Sequence, residues 1–302
     1  MPVATPEMIP LLRSHLQLKN ILLLVDLDRH SHVTLSHALR IQKLRDSRII
    51  ACHLLPAAES TFVPEDPTRR WPDLERRRSE LELKDLELHT RLKEVSHTLL
   101  LENGPFHEVV PRIAEEYEID LVVMGCHQHS TLAKLVFGST AEELLRGTSL
   151  PVMTVGPMMT TVAEATPIRK ILFATHFDEP SMHAASYALS LAMDDRGRVT
   201  LLHVVSDPRE LQANPQKHLM EIRSRLKRLI PEDADLFCSP EVLIEYGPPA
   251  KRILETAQRE HTDLIVMGVH KPKYSGLASH APHDVAYDVI SQAPCPVLTL
   301  TS

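Results

Sequence analysis

The sequence predicts an α/β protein made of two tandem domains, each a parallel sheet with helices on both faces. Three observations predict it. Short β-branched apolar runs alternate along the chain with stretches of helical spacing, which is how strands covered by helices on both faces are written. The order of these elements then occurs twice: Asn20–Asp28 (NILLLVDLD) matches Lys170–Asp178 (KILFATHFD) at an offset of 150. Finally, Gly104 to Gly125 spans the same distance as Gly247 to Gly268, both segments run GP…RI…DLxVMG, and LPVMTV at Leu150–Val155 matches CPVLTL at Cys295–Leu300. A fixed internal period marks a duplicated unit. The domains are residues 1–157 and 158–302, and the Thr- and Ala-rich stretch Pro157–Pro167, flanked by prolines, reads as the linker.

In the first unit Ile21–Val25 is a continuous apolar run suited to a buried strand, and Thr34–Leu44 has helical spacing at Leu35, Ala38 and Leu39. Ile49–Leu55 is strand again. Pro56–Pro72 is a proline-broken loop, read as a connection with a lid as the alternative. Trp71–Val95 reads as one long amphipathic helix with Leu74, Leu81, Leu88 and Leu92 on its apolar stripe. His97–Leu101 is strand, and Gly104–Pro105 turns into a helix over His107–Glu118. Leu121–Met124 is a strand ended by Gly125; a polar, His-containing loop leads to Gly138–Ser139–Thr140, Ala141–Arg146 is helical, and Pro151–Val155 is the last strand. The second unit repeats this order.

Composition narrows the function. The 302 residues are 43% apolar, 24% charged and 4% aromatic, as in an ordinary globular protein of about two domains. A net charge of −7 argues against a nucleic-acid surface, and no run is long and apolar enough for a membrane helix. The N-terminus lacks the basic-then-apolar layout of a secretory signal, and Cys52, Cys126, Cys238 and Cys295 are isolated, with no CxxC pair. These features place the chain in a reducing cytoplasm, with its thiols buried.

The stretch from Asp120 to Pro157 carries the chemistry. Strand, glycine, loop, then small residues at a helix start is how a chain presents backbone N–H groups to an anion. Ser139 is also placed to cap the helix that follows, a structural role compatible with an anion there. Doubly wound sheets bind ligands at the carboxyl ends of strands where strand order switches, which puts Asp26 and Gly125 at one crevice. Asp26 suits ribose hydroxyls; its bland alternative is a carboxylate satisfied by turn N–H groups, and Asp28 competes for either role.

On these residues the chain resembles the universal stress protein family across both halves. Gly125 matches the first glycine of the family's G-x-x-G, nine residues, G-[S/T] motif, Gly138 the third glycine and Ser139 the hydroxyl residue. Gln128 stands where the second glycine belongs, and glutamine lacks the backbone freedom of glycine. Asp26 matches the first-strand aspartate, and His53–Leu54 resembles the strand end whose backbone meets adenine.

The resemblance implies two tandem doubly wound five-stranded parallel-sheet domains, a Rossmann-like α/β fold of the adenine nucleotide alpha hydrolase type. It implies an adenine-nucleotide site formed by Asp26, Leu54, Met124, Gly125, Gln128, Gly138, Ser139 and Thr140, with ATP, alone or with Mg2+, as the ligand. It also implies pairing of domains through their last strands, either within the tandem chain or between copies in a homodimer, and protein partners yet to be identified. His127, His129 and Lys134 lie in the same loop.

The second unit departs from the motif. Gly268 keeps the first glycine, but Lys271, Ala281 and Pro282 replace the later motif residues, and His176 replaces the strand aspartate. Proline has no N–H, and alanine resists a positive φ. This unit is therefore expected to be silent toward nucleotide and to act as a structural or regulatory partner. His270, His280 and His283 surround its loop without the spacing of a metal motif. No Walker lysine loop, Ser–His–Asp arrangement or paired carboxylates occur. The expected role is therefore a non-enzymatic stress sensor or regulator. A slow ATPase or nucleotide-dependent transferase and an interaction module that binds no nucleotide are the alternatives.

Overall fold

A computed structural model describes residues 16–27, 31–55, 71–126, 148–160, 166–207, 214–270 and 285–301. The first unit contains β1 (Asn20–Leu24), α1 (Ser31–Arg45), β2 (Arg48–Leu55), α2 (Trp71–His89), β3 (His97–Asn103), α3 (Phe106–Glu116), β4 (Leu121–Gly125) and β5 (Val152–Val155). The second contains β6 (Lys170–Ala174), α4 (Glu179–Asp194), β7 (Arg198–Val205), α5 (Pro215–Arg228), β8 (Ser239–Tyr246), α6 (Pro249–Glu260), β9 (Leu264–Val269), α7 (Val285–Gln292) and β10 (Val297–Thr301). The predicted helix over Ala141–Arg146 lies outside the described residues, as does most of the Pro56–Pro72 loop. Among the described residues no helix is long and apolar enough to cross a membrane.

The ten strands form one sheet in the order β3-β2-β1-β4-β5-β10-β9-β6-β7-β8. Within each unit the pairing is parallel, and order switches beside the first strand: β1 lies between β2 and β4, and β6 between β7 and β9. The units meet at β5 and β10, which run antiparallel with Leu298 opposite Met153. These two residues occupy equivalent places in LPVMTV and CPVLTL, so a pseudo-twofold axis passes between them. The tandem chain is therefore a dimer built into one polypeptide. This corrects the expectation of a homodimer through last-strand edges, because both last strands are already paired inside the chain. The open edges are β3 and β8.

The continuous apolar runs are resolved by the pleat into two faces. Ile21, Leu23, Ile49, Ala51, Leu121 and Val123 join one core with residues of α1 and α4, and this core continues through Met153 and Leu298 into the second unit. Leu22, Leu24, Ile50, Cys52, Val122 and Met124 join the other, against α3, α6 and α7. Burial on both faces is why these strands show no alternation in sequence.

Equivalent devices recur in both halves. Asp120 Oδ2 accepts the backbone N–H groups of Lys19 and Asn20 at 2.7 and 2.9 Å, and Asp263 Oδ2 those of Arg169 and Lys170 at 2.9 Å each. The aspartate of each DLxVMG segment thus anchors the start of the neighbouring strand. Gly104 and Gly247 turn at φ 129° and 123°, a region closed to side-chain-bearing residues, which explains the repeated Gly-Pro.

One predicted stripe is misplaced. Helix α2 ends at His89, and a 3₁₀ turn at Arg91–Glu94 follows, with Thr90 accepting from the Leu92 N–H. Leu74, Leu81 and Leu88 are exposed at 60–69%, while Ser79, Leu83, Leu86 and Leu92 are buried. The helix carries two apolar faces, and the one without the leucine heptad packs on the sheet.

Candidate functional site

The switch between β1 and β4 creates the crevice. Val25 still donates to the Cys52 carbonyl at 2.9 Å, continuing the ladder, and Leu27 then turns with φ 56°. Asp26, between them, leaves the sheet with its side chain exposed. A cavity of about 100 Å3 opens here, lined by Leu24, Val25, Asp26, Cys52, Leu54, Met124 and Gly125. Four of the predicted site residues, Asp26, Leu54, Met124 and Gly125, are therefore brought together. Gln128, Gly138, Ser139 and Thr140 lie outside the described residues, as do Asp28, His127, His129 and Lys134. The cavity is smaller than the roughly 300–1,000 Å3 of typical small-molecule sites.

Leu24, Val25 and Cys52 were not singled out from the sequence, although strand parity points to two of them: Leu24, Cys52, Leu54 and Met124 share a face. The same parity turns His53 the other way, where its Nδ1–H donates to the Val25 carbonyl at 2.6 Å. His203 repeats this bond to the Thr175 carbonyl at 2.9 Å. This histidine is thus a clamp between the first two strands of each unit.

The thiols are quiet. Burial pushes Cys52 up to about 12, and burial followed by the nearby Asp26 charge pushes Cys126 up to about 11. Cys238 and Cys295 are also buried and raised, to about 11 and about 12. At pH 7 the native protein should accordingly react with a thiol reagent at least ~100-fold more slowly than the unfolded chain, because the nucleophile is the thiolate. Rapid labelling of Cys52 or Cys126 in folded protein would contradict this placement.

The equivalent strand ends of the second unit carry different side chains. His176 takes the place of Asp26, and its ring stacks toward His203 at 6.2 Å between centroids. Phe177 turns with φ 63°, as Leu27 does at 56°; its ring lies 4.7 Å from that of His203, and the Arg225 guanidinium stands 3.9 Å over it. Asp178 caps α4 by accepting the Ser181 N–H at 3.0 Å, and its other oxygen meets His270 Nε2 at 2.9 Å. Burial works to raise the Asp178 carboxyl, yet its bonds to Ser181 and the His270 imidazole hold it below the usual range. The His270–Asp178 contact thus joins the end of β9 to the start of α4.

Gly268 shows a structural reason for the first glycine of the motif. A Cβ there would lie 2.2 Å from the Ser181 nitrogen and 2.3 Å from the Pro180 carbonyl carbon. The first turn of α4 rests directly on this strand end, and only a glycine leaves room for it. Lys271, His280, Ala281, Pro282 and His283 lie outside the described residues. Among the described residues no three His, Cys, Asp or Glu side chains converge as metal ligands would.

Fold and crevice together define a tandem pair of doubly wound α/β domains with a ligand-type cleft at the strand switch of the first. The universal stress protein family model matches residues 17–156 and again 167–300, so the chain belongs to that family. It is 47% identical over 51 residues to Universal stress protein Slr1230 of Synechocystis, a match covering 17% of this chain and 18% of that protein. It is 30% identical over 117 residues to Universal stress protein C of Escherichia coli O6:H1, covering 36% of this chain and 81% of the relative. Among solved structures, a universal stress protein from Archaeoglobus fulgidus DSM 4304 superimposes over 94% of this chain and 99% of its own, with a TM-score of 0.68 at 18% identity. That similarity extends the tandem fold to both proteins.

Proposed function

We propose that the first unit binds an adenine nucleotide, with ATP the leading candidate, and that the protein acts as a non-enzymatic stress sensor or regulator. The observation that carries this reading is the meeting of Asp26, Leu54, Met124 and Gly125 around one cavity at the strand switch. In this reading Asp26 accepts from ribose hydroxyls and the Leu54 strand end faces the base. The loop after Gly125, with Gln128, Gly138, Ser139 and Thr140, receives the phosphates, and any Mg2+ would travel with them. Donors at a helix start and the positive end of its dipole suit an anion. Among the described residues, the two thiols near the cavity, Cys52 and Cys126, are held protonated at neutral pH by burial.

The second unit supports the sensor half of the reading. It carries His176 where ribose would need a carboxylate, and His270 is tied to Asp178 beside it, so in this reading it serves as a structural or regulatory partner. The small cavity and Gln128 favour one competing reading, an interaction module without nucleotide. Thermal unfolding separates the two, because a ligand that binds only the native state raises the midpoint by RT ln(1 + [L]/Kd). At 100 times Kd this is about 2.7 kcal/mol, on the order of 5 °C for a chain of this size. Millimolar ATP should shift the wild type and leave Asp26→Ala unshifted. No shift in nucleotide-free wild-type protein would sink the proposal, and sustained phosphate release abolished by Asp26→Ala would replace the sensor with an ATPase.

A further inference from the structure

The junction between the halves is not symmetric in charge. Helices α1 and α4 are equivalent, and their C-terminal ends face each other across the pseudo-twofold axis. Arg45 and Asp195 occupy the same place in the repeat, 150 residues apart, in the segments Arg45–Asp46–Ser47 and Asp195–Arg196–Gly197. Both precede a residue at positive φ, Asp46 at 55° and Arg196 at 49°. Arg45 Nη1 meets Asp195 Oδ1 at 2.9 Å, and Nη2 lies 3.9 Å from Asp194 Oδ2. The three side chains are only 11%, 6% and 12% exposed.

Two physical details show that this pair is an unusual way to hold a fold together. Helix α4 ends on Asp194 and Asp195 with no basic residue in its last turn, against the preference of a helix C-terminus for positive charge. Its relief comes from the other unit, through Arg45. In addition, Arg45 Nε and Nη2 and Asp195 Oδ2 are buried without a hydrogen-bond partner. A buried ion pair so incompletely satisfied adds little stability over apolar residues of similar volume, whereas removing one partner strands the other charge. A second contact runs in the same direction: buried Arg40 of α1 lies 3.7 Å from Asp263 of the second unit, and the residue equivalent to Arg40 is Ser190.

An isologous pair places each residue on the axis against its own copy. Two first-unit surfaces would set Arg45 against Arg45, and two second-unit surfaces would gather Asp194 and Asp195 with their copies. We propose that Arg45 and Asp194–Asp195 form a pairing code: the first unit's junction surface accepts an acidic, second-unit-type counterpart and rejects its own kind. The duplicated halves have in this way become an obligate complementary pair. Discrimination by like-charge repulsion as well as attraction is how specific interfaces exclude near-identical partners.

The test uses the full chain and charge reversals. Arg45→Asp and Asp195→Arg should each lower the melting midpoint by about 5–10 °C, and the double reversal should recover at least half of the summed loss. If the losses simply add, or neither reversal moves the midpoint, the pair has no such role. Should a reversal fail to fold, the milder Arg45→Gln, Asp195→Asn and their double supply the same cycle. Specificity is read by co-expressing differently tagged Arg45→Asp and Asp195→Arg chains, each mismatched within itself and matched to the other. A two-chain complex on native mass analysis, absent from either variant alone and from two wild-type chains, is the expected result. Its absence would overturn the code.

Discussion

Gly268→Ala should destabilise the second unit more than any other single methyl addition within β9. The new Cβ would sit 2.2 Å from the Ser181 nitrogen and 2.7 Å from the Pro180 carbonyl oxygen. Both are backbone atoms of the first turn of α4, so no side-chain rotation relieves the clash. The helix must withdraw, and it carries Ala184, Ala185, Ala188, Leu189 and Leu191 into the core. Overpacking that shifts backbone typically costs about 1–3 kcal/mol, and loss of helix packing adds to it, so about 3 kcal/mol or more is expected from chemical denaturation. A loss below about 0.5 kcal/mol would mean that α4 does not rest on the strand. The result also bears on function, because Gly268 belongs to a unit whose other motif positions are Lys271, Ala281 and Pro282. A glycine kept in that setting is kept for packing.

Acid should weaken the protein through His37. This side chain is buried in α1, its Nε2–H reaches the Thr160 carbonyl at 3.3 Å, and its Nδ1 has no partner. Burial, helped by the nearby Arg40 charge and opposed by the Thr160 bond, lowers its pKa from 6.5 to about 4. The folded state therefore binds fewer protons than the unfolded state between those values, and stability rises with pH across that window. The contribution is complete above about pH 6.5 and lost as pH falls toward 4, amounting to about 3 kcal/mol at the 1.36 kcal/mol carried by each unit. His37→Gln keeps a donor for Thr160 and removes the titration. From pH 7 through 5.5 to 4.5 the wild-type midpoint should fall steadily relative to that of the variant, because only the wild type carries this titration. Parallel curves would show that His37 is not the group responsible. The same helix holds the chain at the far end of the linker: Arg40 donates to the Thr166 and Pro167 carbonyls at 2.8 and 2.7 Å.

How much of this was legible in the sequence depended on whether the signal was local. The strands were, because continuous runs such as Ile21–Val25 and Leu121–Met124 have few other uses. The convergence of Asp26 and Gly125 was legible through topology, since both end strands that flank the order switch. The cavity's other walls needed parity to be followed one step further, from Leu54 back to Cys52 and Leu24. His53, adjacent to Leu54, belongs to the opposite face for the same reason.

Helix α2 misled because Leu74, Leu81 and Leu88 recur every seven residues and outrank Leu83 and Leu86 as a visible stripe. Only the sheet beneath decides which apolar face is covered. The junction charges were invisible for another reason: Arg45, Asp194 and Asp195 at helix ends look like solvated surface until the pseudo-twofold axis places them together. The pairing of the last strands, by contrast, was implied by the family resemblance, and their antiparallel register consumes an edge that each half alone would leave open.

The central proposal is one nucleotide site per chain, in the first unit, with the second unit silent, and binding stoichiometry tests it most directly. Equilibrium dialysis of nucleotide-free protein against labelled ATP should give one nucleotide per chain, lost in Asp26→Ala and retained in His176→Ala. Zero bound in the wild type, or two, would contradict it.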